Sequence, residues 1–197
     1  MNIHSTRVSR LSTDKPDAIL EAALELFVER GFHGTAVPEI AERAKVGAGT
    51  IYRYFESKEA LVNALYRKWK TVIAQMVLHE FPHDRPPREQ FRAIFHRMAE
   101  FALAHQREFA FLEFHHHSSY LDAQSKALEH QLLDFADAMI RQAQSLGVLK
   151  PLEPTLLLAL MNGAFIGVVR AAAEGQLELS PKLFQEAEQC CWEAIRA

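Results

Sequence analysis

Residues 46–61, VGAGTIYRYFESKEAL, decide how the rest of the chain is interpreted. The stretch is typical of a helix, yet it contains Gly47 and Gly49, and a glycine weakens a helix by about 1 kcal/mol relative to alanine. Two tyrosines, Tyr52 and Tyr54, enclose the basic residue Arg53. We therefore expect a requirement other than helix stability to explain these residues.

A helix that begins at Ala48 divides this stretch into an inner and an outer face. At about 100° per residue, Ile51 and Phe55 gather with Ala48 on one side, which we expect to pack inward. Gly49, Thr50 and Arg53 lie on the opposite, outer face. Tyr52 and Tyr54 lie on the two flanks of that face.

The outer face suits the major groove of DNA, which is wide enough for a helix with short side chains. A glycine at position 49 lets the backbone approach the bases, while Thr50 and Arg53 can reach base edges. The hydroxyls of Tyr52 and Tyr54 can donate hydrogen bonds to phosphates on either wall of the groove. The stretch therefore predicts a helix that reads DNA.

Further helices are predicted on both sides of this stretch. The segment after residue 14 has apolar residues at helical spacing and ends at Gly31. A second helix begins with Thr35 at a cap position and tolerates Pro38 in its first turn. Ser57 begins a much longer helix that reaches about residue 79.

Residues 15–70 resemble the DNA-binding domain of the TetR family of transcriptional regulators. The resemblance is carried by ERGF, by a threonine before IAERA, by GTIYRYF and by SKEAL, all in register. It implies a helix-turn-helix with its first helix at 35–44 and its recognition helix at 48–54. Gly47 departs from the family, whose members often have serine or threonine there, and we leave it out of the predicted contacts. The implied contacts are to phosphates from Thr35, Tyr52, Tyr54 and Lys58, and to bases from Gly49, Thr50 and Arg53.

The remainder of the chain is also predicted to be helical. The segment FPHDRPPRE interrupts the pattern with prolines, and apolar spacing then predicts five more helices. Their predicted bounds are 88–105, 107–117, 119–146, 153–174 and 180–196. The chain is thus predicted to be all-α, with about nine helices. We divide it into a flexible N-terminal arm at 1–14, a helix-turn-helix DNA-binding domain at 15–75, and a helical ligand-binding and dimerisation domain at 76–197.

The apolar segment 156–169 predicts an interface between two copies of the chain. Ala159, Gly163 and Gly167 recur every four residues, and such small residues let two helices approach closely. The resemblance implies that the last two helices pair with a second subunit, so that two recognition helices meet half-sites about 34 Å apart on a palindromic operator. Packing within one subunit is the alternative. The segment is shorter than the roughly 20 residues of a membrane span, so we expect no membrane contact.

The family resemblance also implies a small-molecule effector site in the second domain. This part of the chain is rich in phenylalanine, which predicts a cavity lined by aromatic rings and a few polar groups. We therefore expect an apolar or aromatic effector. The candidate ligand-binding residues are Phe101, Phe114, His117, Asn162 and Phe165.

The charge distribution and the cysteine content indicate which kind of partner the protein binds and in which cellular compartment it works. The net charge is −3, but residues 1–70 carry 11 Lys/Arg against 9 Asp/Glu, which places a phosphate-binding surface in the first third of the chain. The two cysteines, Cys190 and Cys191, are adjacent and cannot build a disulfide framework. The first 17 residues lack an apolar signal core, so we expect a cytoplasmic protein.

Catalysis and metal binding find little support in the sequence. We see no spacing typical of a nucleophile and its base, and no glycine-rich phosphate loop, so we predict a protein that is not an enzyme and needs no cofactor. Glu113, His116 and His117 fall within one helical turn, and His79 and His83 are four residues apart. The three successive histidines spread over about 200° of a helix, so at most two share a face and a third metal ligand would have to come from elsewhere. The leading hypothesis is a homodimeric repressor released from DNA by its effector. A DNA-binding activator and a helical small-molecule carrier are the alternatives.

Overall fold

A computed structural model describes residues 15–115, 117 and 119–197 of the chain. This part of the chain contains nine α-helices and no strand, which confirms the predicted all-α class. The predicted arm at 1–14 and the candidate metal ligand His116 lie outside the described residues. The helices are α1 (Lys15–Arg30), α2 (Val37–Arg43), α3 (Ala48–Tyr54), α4 (Lys58–Leu78), α5 (Pro87–Ala104), α6 (Gln106–Phe114), α7 (Ala123–Ser145), α8 (Pro154–Ala173) and α9 (Pro181–Ile195).

The chain divides into two compact units between Leu61 and Val62, so the division falls inside α4. From the sequence we placed the domain boundary later, between residues 75 and 76. The difference has a physical reason, because α4 already bonds to the second unit soon after Val62. The Asn63 side chain donates a hydrogen bond to the carbonyl of Tyr120 at 2.7 Å. The proline-rich segment marks the end of α4 within the second unit.

The first unit is a three-helix arrangement in which α1 packs against both α2 and α3. Its core is formed by side chains that are at most 2% exposed, including Ile19, Phe27, Ile40 and Ile51. Helix α1 ends where Gly31 adopts a positive φ of 69°, a conformation that glycine accepts without steric cost. The short helices α2 and α3 therefore depend on this shared core for their stability.

The second unit packs α5 against α9, α7 against α8, and α8 against α9. One buried cluster at its centre includes Ile140, Leu157 and Ile195. A second is aromatic, with the ring of Phe165 5.1 Å from that of Phe95 and 5.3 Å from that of Phe184, measured between ring centroids. These two clusters leave room between them for the cavity described below.

Helix α8 exposes an apolar face. Leu156 and Leu160 are 47% and 53% exposed, and Gly163 and Gly167 lie on the same exposed side. A side-chain Cβ built at either glycine would meet nothing within 4 Å, so no internal contact requires a glycine there. By length and composition α8 would also be apolar enough to cross a membrane, and it is the one such helix among the described residues.

Candidate functional site

The residues predicted to read DNA lie on a helix-turn-helix formed by α2, a four-residue turn and α3. In the turn, Lys45 adopts a positive φ of 55°, and the amide of Val46 donates to the carbonyl of Ala41 at 2.9 Å. Gly47 caps α3 with an extended backbone and contributes no side-chain hydrogen bond. Helix α3 has the bounds that the sequence predicted for the recognition helix.

The inner face of α3 agrees with the prediction at two of three positions. Ile51 is 1% exposed and Phe55 is half-buried. Ala48 was expected to pack inward, but it is exposed because it stands in the first turn, beyond the reach of the α1–α2 core. Ile51 is therefore the residue that fixes α3 to the domain.

The outer face of α3 is bare within the described part of the chain. Gly49 and Arg53 are exposed and Thr50 is half-buried. A Cβ built at Gly49 would meet nothing within 4 Å. A Cβ would therefore fit among the described residues, and alanine would also suit a helix better than glycine does. No contact among the described residues therefore accounts for a glycine at position 49, and its role beside a duplex stays a prediction.

Two tyrosines stand beside this face with their rings in solvent. Tyr52 is 54% exposed and Tyr54 is 41% exposed. The guanidinium carbon of Arg53 lies 5.7 Å from the centroid of the Tyr54 ring, within the range of a cation–π contact. Tyr54 is thus not a core residue of the first unit, and both hydroxyls remain candidates for phosphate contacts.

Thr35 has a structural position that corrects the sequence-based prediction. It is 2% exposed, and its hydroxyl lies 3.1 Å from the carbonyl oxygen of Leu26 and 2.9 Å from that of Gly31. Helix α2 begins two residues later than predicted, after Ala36, so Thr35 does not cap it. The hydroxyl joins α1 to the connection before α2, and the phosphate contact of Thr35 stays a prediction.

Glu39 takes over the capping role at α2. Its carboxylate accepts a hydrogen bond from the amide of Ala36 at 2.9 Å and pairs with Arg30 at 2.7 Å. The Ala36 amide, and then the charge of Arg30, hold the pKa of this exposed carboxyl below its usual value. The N-terminus of α2 is thus closed by the protein's own carboxylate.

Lys58 is partly engaged inside the first unit. Its ammonium donates hydrogen bonds to the carbonyls of Phe32 and Thr35 at 2.8 Å and 2.9 Å, and it lies 4.1 Å from the centroid of the Phe32 ring. An ammonium has three N–H donors, so one remains for a phosphate. Lys58 therefore links the α1–α2 connection to the first turn of α4, and its DNA contact stays a prediction.

Lys45 is a candidate that the sequence-based analysis did not single out. It is exposed in the turn that leads into α3. The concentration of basic residues after position 43 was a signal for it, but the sequence alone did not show which of them the turn presents. Its ammonium is available for a non-specific phosphate contact.

The second unit contains a cavity of about 350 Å³. Of the five residues predicted to bind a ligand, Asn162 and Phe165 line it, while Phe101, Phe114 and His117 do not. The lining is formed mainly by α4, α5, α7 and α8. Its aromatic members are Phe91, Phe95, Phe109, Phe135, Phe165 and Trp192.

Two of the excluded phenylalanines are used in packing. Phe101 is 1% exposed, with its ring centroid 6.4 Å from that of Trp69. Phe114 lies beneath the guanidinium of Arg170, 5.1 Å from its ring centroid. Phenylalanine spacing alone could not separate the cavity wall from the core, because both are apolar.

His117 is the third excluded residue. It is 6% exposed, and its Nε2 donates a hydrogen bond to the carbonyl of Phe111 at 2.5 Å. Burial is the main cause that lowers the pKa of His117 below its ordinary value of 6.5, and the Phe111 carbonyl opposes that shift. His117 is thus held neutral as part of the packing between α6 and α7.

The lowered pKa of His117 predicts a pH dependence of stability. Below about pH 6.5 the unfolded chain binds a proton at this histidine that the folded chain resists, so the free energy of unfolding falls as the pH decreases. We expect the melting temperature to drop between pH 7 and pH 5, and to drop less in His117→Gln. His130→Gln, at an exposed histidine, serves as the control. Equal slopes in wild type and His117→Gln would contradict this assignment.

Three charged residues in the cavity wall were missed by sequence-based reasoning. Lys70 pairs with Glu113 at 2.9 Å, and Glu129 accepts a hydrogen bond from the hydroxyl of Tyr66 at 3.2 Å. They come from α4, α6 and α7, so no local pattern joins them. Within the described residues no group of histidine, cysteine and acidic side chains is arranged to hold a metal ion.

Comparisons with known proteins agree with this arrangement. The family model described as bacterial regulatory proteins, tetR family, matches residues 19–65, and the one described as tetracyclin repressor-like, C-terminal domain, matches residues 66–197. The transcriptional regulator YhgD of Bacillus subtilis (strain 168) is 25% identical over 161 residues, which cover 81% of this chain and 84% of that protein. The transcriptional repressor Rv3405c of Mycobacterium tuberculosis (strain H37Rv) is 40% identical over 67 residues, 34% of this chain and 36% of that protein.

A solved structure extends the likeness to the whole fold. A TetR family transcription regulator from Marinobacter aquaeolei VT8 superposes with a TM-score of 0.81 at 25% identity, over 92% of this chain and 95% of that one. These relatives are DNA-binding transcriptional regulators, a class that does not consist of enzymes. Since the two family models together span residues 19–197, the chain belongs to the TetR family of transcriptional regulators.

Proposed function

We propose that this regulator is a homodimeric, cytoplasmic repressor that binds a palindromic operator and leaves it when a small apolar or aromatic effector fills the cavity. The observation that carries the proposal is the bare outer face of α3, where no contact among the described residues calls for a glycine at position 49. This face is open, and its glycine lowers the stability of the helix. Close approach of a DNA duplex to the face best explains both features.

The roles of the α3 residues follow from their positions. Thr50 and Arg53 lie beside Gly49 on the outer face and would read base edges, since a guanidinium can bond both acceptors of a guanine. Tyr52 and Tyr54 would donate to phosphates and set the register of the helix without reading sequence. Lys58 would add its third N–H donor to the same task.

Dimerisation is supported by the exposed apolar face of α8. Leu160 is more than half exposed, and Gly163 and Gly167 offer open space where a second helix can approach. Covering such a face with an identical copy removes apolar area from water on both chains. Two recognition helices related by the resulting two-fold axis would read the two halves of a palindrome.

Regulation by an effector is supported by the cavity and by the course of α4. The helix begins in the first unit and lines the cavity at Lys70 and Ile73 in the second. An effector that prefers one conformation of the second unit would lower the population of the DNA-binding state in proportion to that preference. Occupation of a promoter by the dimer would exclude polymerase, which makes repression the simplest outcome. The alternative is an activator that binds DNA in the same way.

The most direct test is selection of bound sites from a random pool of duplexes. We expect recovered sites to contain two inverted half-sites about one helical turn apart. Recovery of single half-sites would contradict the proposed dimer. Recovery of no consensus sequence would contradict the proposed reading of base sequence. A helical carrier would bind no duplex at low salt, whereas a DNA-binding protein should lose affinity steeply as salt rises.

Substitutions on α3 separate base reading from phosphate binding. Arg53→Ala should lower affinity for the selected operator by about 10-fold to 100-fold and relax preference at one base pair, because one base contact is worth ~1–3 kcal/mol. Tyr52→Phe removes only a hydroxyl and should weaken binding to specific and random duplexes by a similar, smaller factor. Fluorescence anisotropy with both duplexes measures the two effects. Equal losses on both duplexes from Arg53→Ala would refute its reading of a base.

A further inference from the structure

The cavity in the second unit has its charged side chains in one region, and the rest of its wall is mainly apolar. The charged residues in its described lining are Lys70, Glu113 and Glu129, two carboxylates against one ammonium. Most other lining residues are aliphatic or aromatic. The wall therefore has a net negative charge that comes from a single small region of α4, α6 and α7.

The contacts of these three residues show where that charge resides. Lys70 and Glu113 form a direct ion pair at 2.9 Å with only 16% and 20% of their side chains exposed, so their charges largely cancel. Glu129 accepts from the Tyr66 hydroxyl at 3.2 Å, and a neutral phenol does not balance a carboxylate. The negative charge of the cavity therefore belongs mainly to Glu129.

Tyr66 supports this distribution of charge. It is 2% exposed, its hydroxyl donates to Glu129, and its ring is 5.5 Å from the Lys70 ammonium. Burial, followed by the nearby charges of Glu129 and Glu113, raises the pKa of Tyr66 far above its ordinary value. The phenol therefore stays protonated and serves as a hydrogen-bond donor to Glu129.

The apolar part of the wall adds to the same preference. Six aromatic rings line the cavity, and the faces of aromatic rings attract cations as well as apolar groups. An anion placed in the same space would be repelled by Glu129, and it would meet a Lys70 ammonium whose charge Glu113 already balances. A cation would be attracted by Glu129, whose carboxylate is held by the Tyr66 hydroxyl.

We propose that the effector of this regulator is a hydrophobic cation, a molecule with an apolar body and an ammonium-type group that pairs with Glu129 in the charged region of the cavity. This inference rests on the proposed effector function and names its ligand class. The apolar body would occupy the space beside Phe95, Phe109 and Phe165, and the cationic group would lie between Glu129 and the edge of the Lys70–Glu113 pair.

A series of ten-carbon probes that differ in charge tests the proposal. Decyltrimethylammonium is the cation, 1-decanol the neutral probe and decanoate the anion, each titrated into the purified full-length protein by calorimetry below its aggregation concentration. We expect the cation to bind at least 10-fold more tightly than 1-decanol, and decanoate to bind more weakly than 1-decanol. Equal or weaker binding of the cation relative to the alcohol would overturn the proposal.

A matched pair of variants locates the charge effect. Glu129→Gln should weaken binding of the cation 5-fold to 10-fold and leave 1-decanol unchanged. Asp134→Asn removes the same charge from an exposed position on α7 outside the cavity lining, and should change either affinity less than 2-fold. Equal effects of the two variants would show a general charge effect and refute the role of Glu129.

The Glu113→Gln variant tests the charge distribution through its affinity for decanoate, which should not improve if Glu113 only supported the fold. Removing this partner frees the Lys70 ammonium, so binding of decanoate should improve 5-fold or more while that of the cation weakens. No improvement for decanoate would contradict the charge distribution argued above. Failure of all three probes to bind the wild-type protein would refute the effector function itself, whereas binding of the neutral probe without preference for the cation would refute only the ligand class.

Discussion

Replacing Gly49 with leucine should abolish operator binding without harming the fold. A Cβ built at Gly49 meets nothing within 4 Å among the described residues, and leucine favours a helix over glycine by ~0.5–1 kcal/mol, so the melting temperature should stay the same or rise. On DNA, the same side chain would hold the helix away from the bases. We expect affinity for the selected operator to fall at least ~100-fold, about the cost of one or two mismatched base pairs. Anisotropy titration and thermal melting measure the two quantities.

The size of the substituent supplies the control for this experiment. Gly49→Ala adds only a methyl group and should cost less affinity than leucine, with a similar gain in stability. A graded loss from glycine through alanine to leucine, with no loss of melting temperature, identifies close approach as the reason for the glycine. If Gly49→Leu bound the operator as tightly as wild type, the outer face of α3 would not be the DNA-reading surface, and the central argument for the function would be lost.

Leu160→Glu should convert the protein to monomers. Leu160 is 53% exposed in the single chain, so glutamate is accommodated there without disturbing the core. At a two-fold interface the substitution appears twice, and each buried, unpaired carboxylate costs several kcal/mol. We expect the mass measured by light scattering to halve at micromolar concentration. Affinity for a palindromic duplex should fall by ~100-fold or more, because one half-site is then read at a time.

Leu146→Glu is the matched control for the interface. Leu146 is 61% exposed at the C-cap of α7 and is not a residue of α8. The same change of residue there should leave both the mass and the operator affinity unaltered. A dimeric Leu160→Glu variant would exclude the α8 face from the interface and would leave its exposed apolar surface without an explanation.

The elements of the fold were predictable because each is encoded locally. Helix α3 follows from the spacing of Ile51 and Phe55, and the end of α1 follows from Gly31, which needs only its own backbone to adopt a positive φ. The outer face of α3 was predictable for the same reason, since helical rotation alone places Gly49 and Arg53 together. Several short motifs at the expected spacing, such as GTIYRYF and SKEAL, then made the family identifiable.

The errors concern residues whose role depends on distant partners. Thr35 suits a helix cap by sequence, but its hydroxyl has two carbonyls of the α1 end within reach, and these are invisible in a linear pattern. His117 was expected in the ligand site, and its bond to Phe111 instead holds it in the core. The charged region of the cavity combines side chains from three helices, so its charge could be known only after the helices were packed.

The empty space beside Gly49 has a genetic consequence. A chain with a bulky residue at this position would keep its α8 face, and in the dimer proposed above it would still assemble with normal chains. In a cell that expresses both alleles, many of the dimers would then contain one subunit that cannot bind DNA. These mixed dimers would bind the operator weakly. Such an allele would act dominantly, in contrast to a destabilising allele, whose product would be degraded before it could interfere.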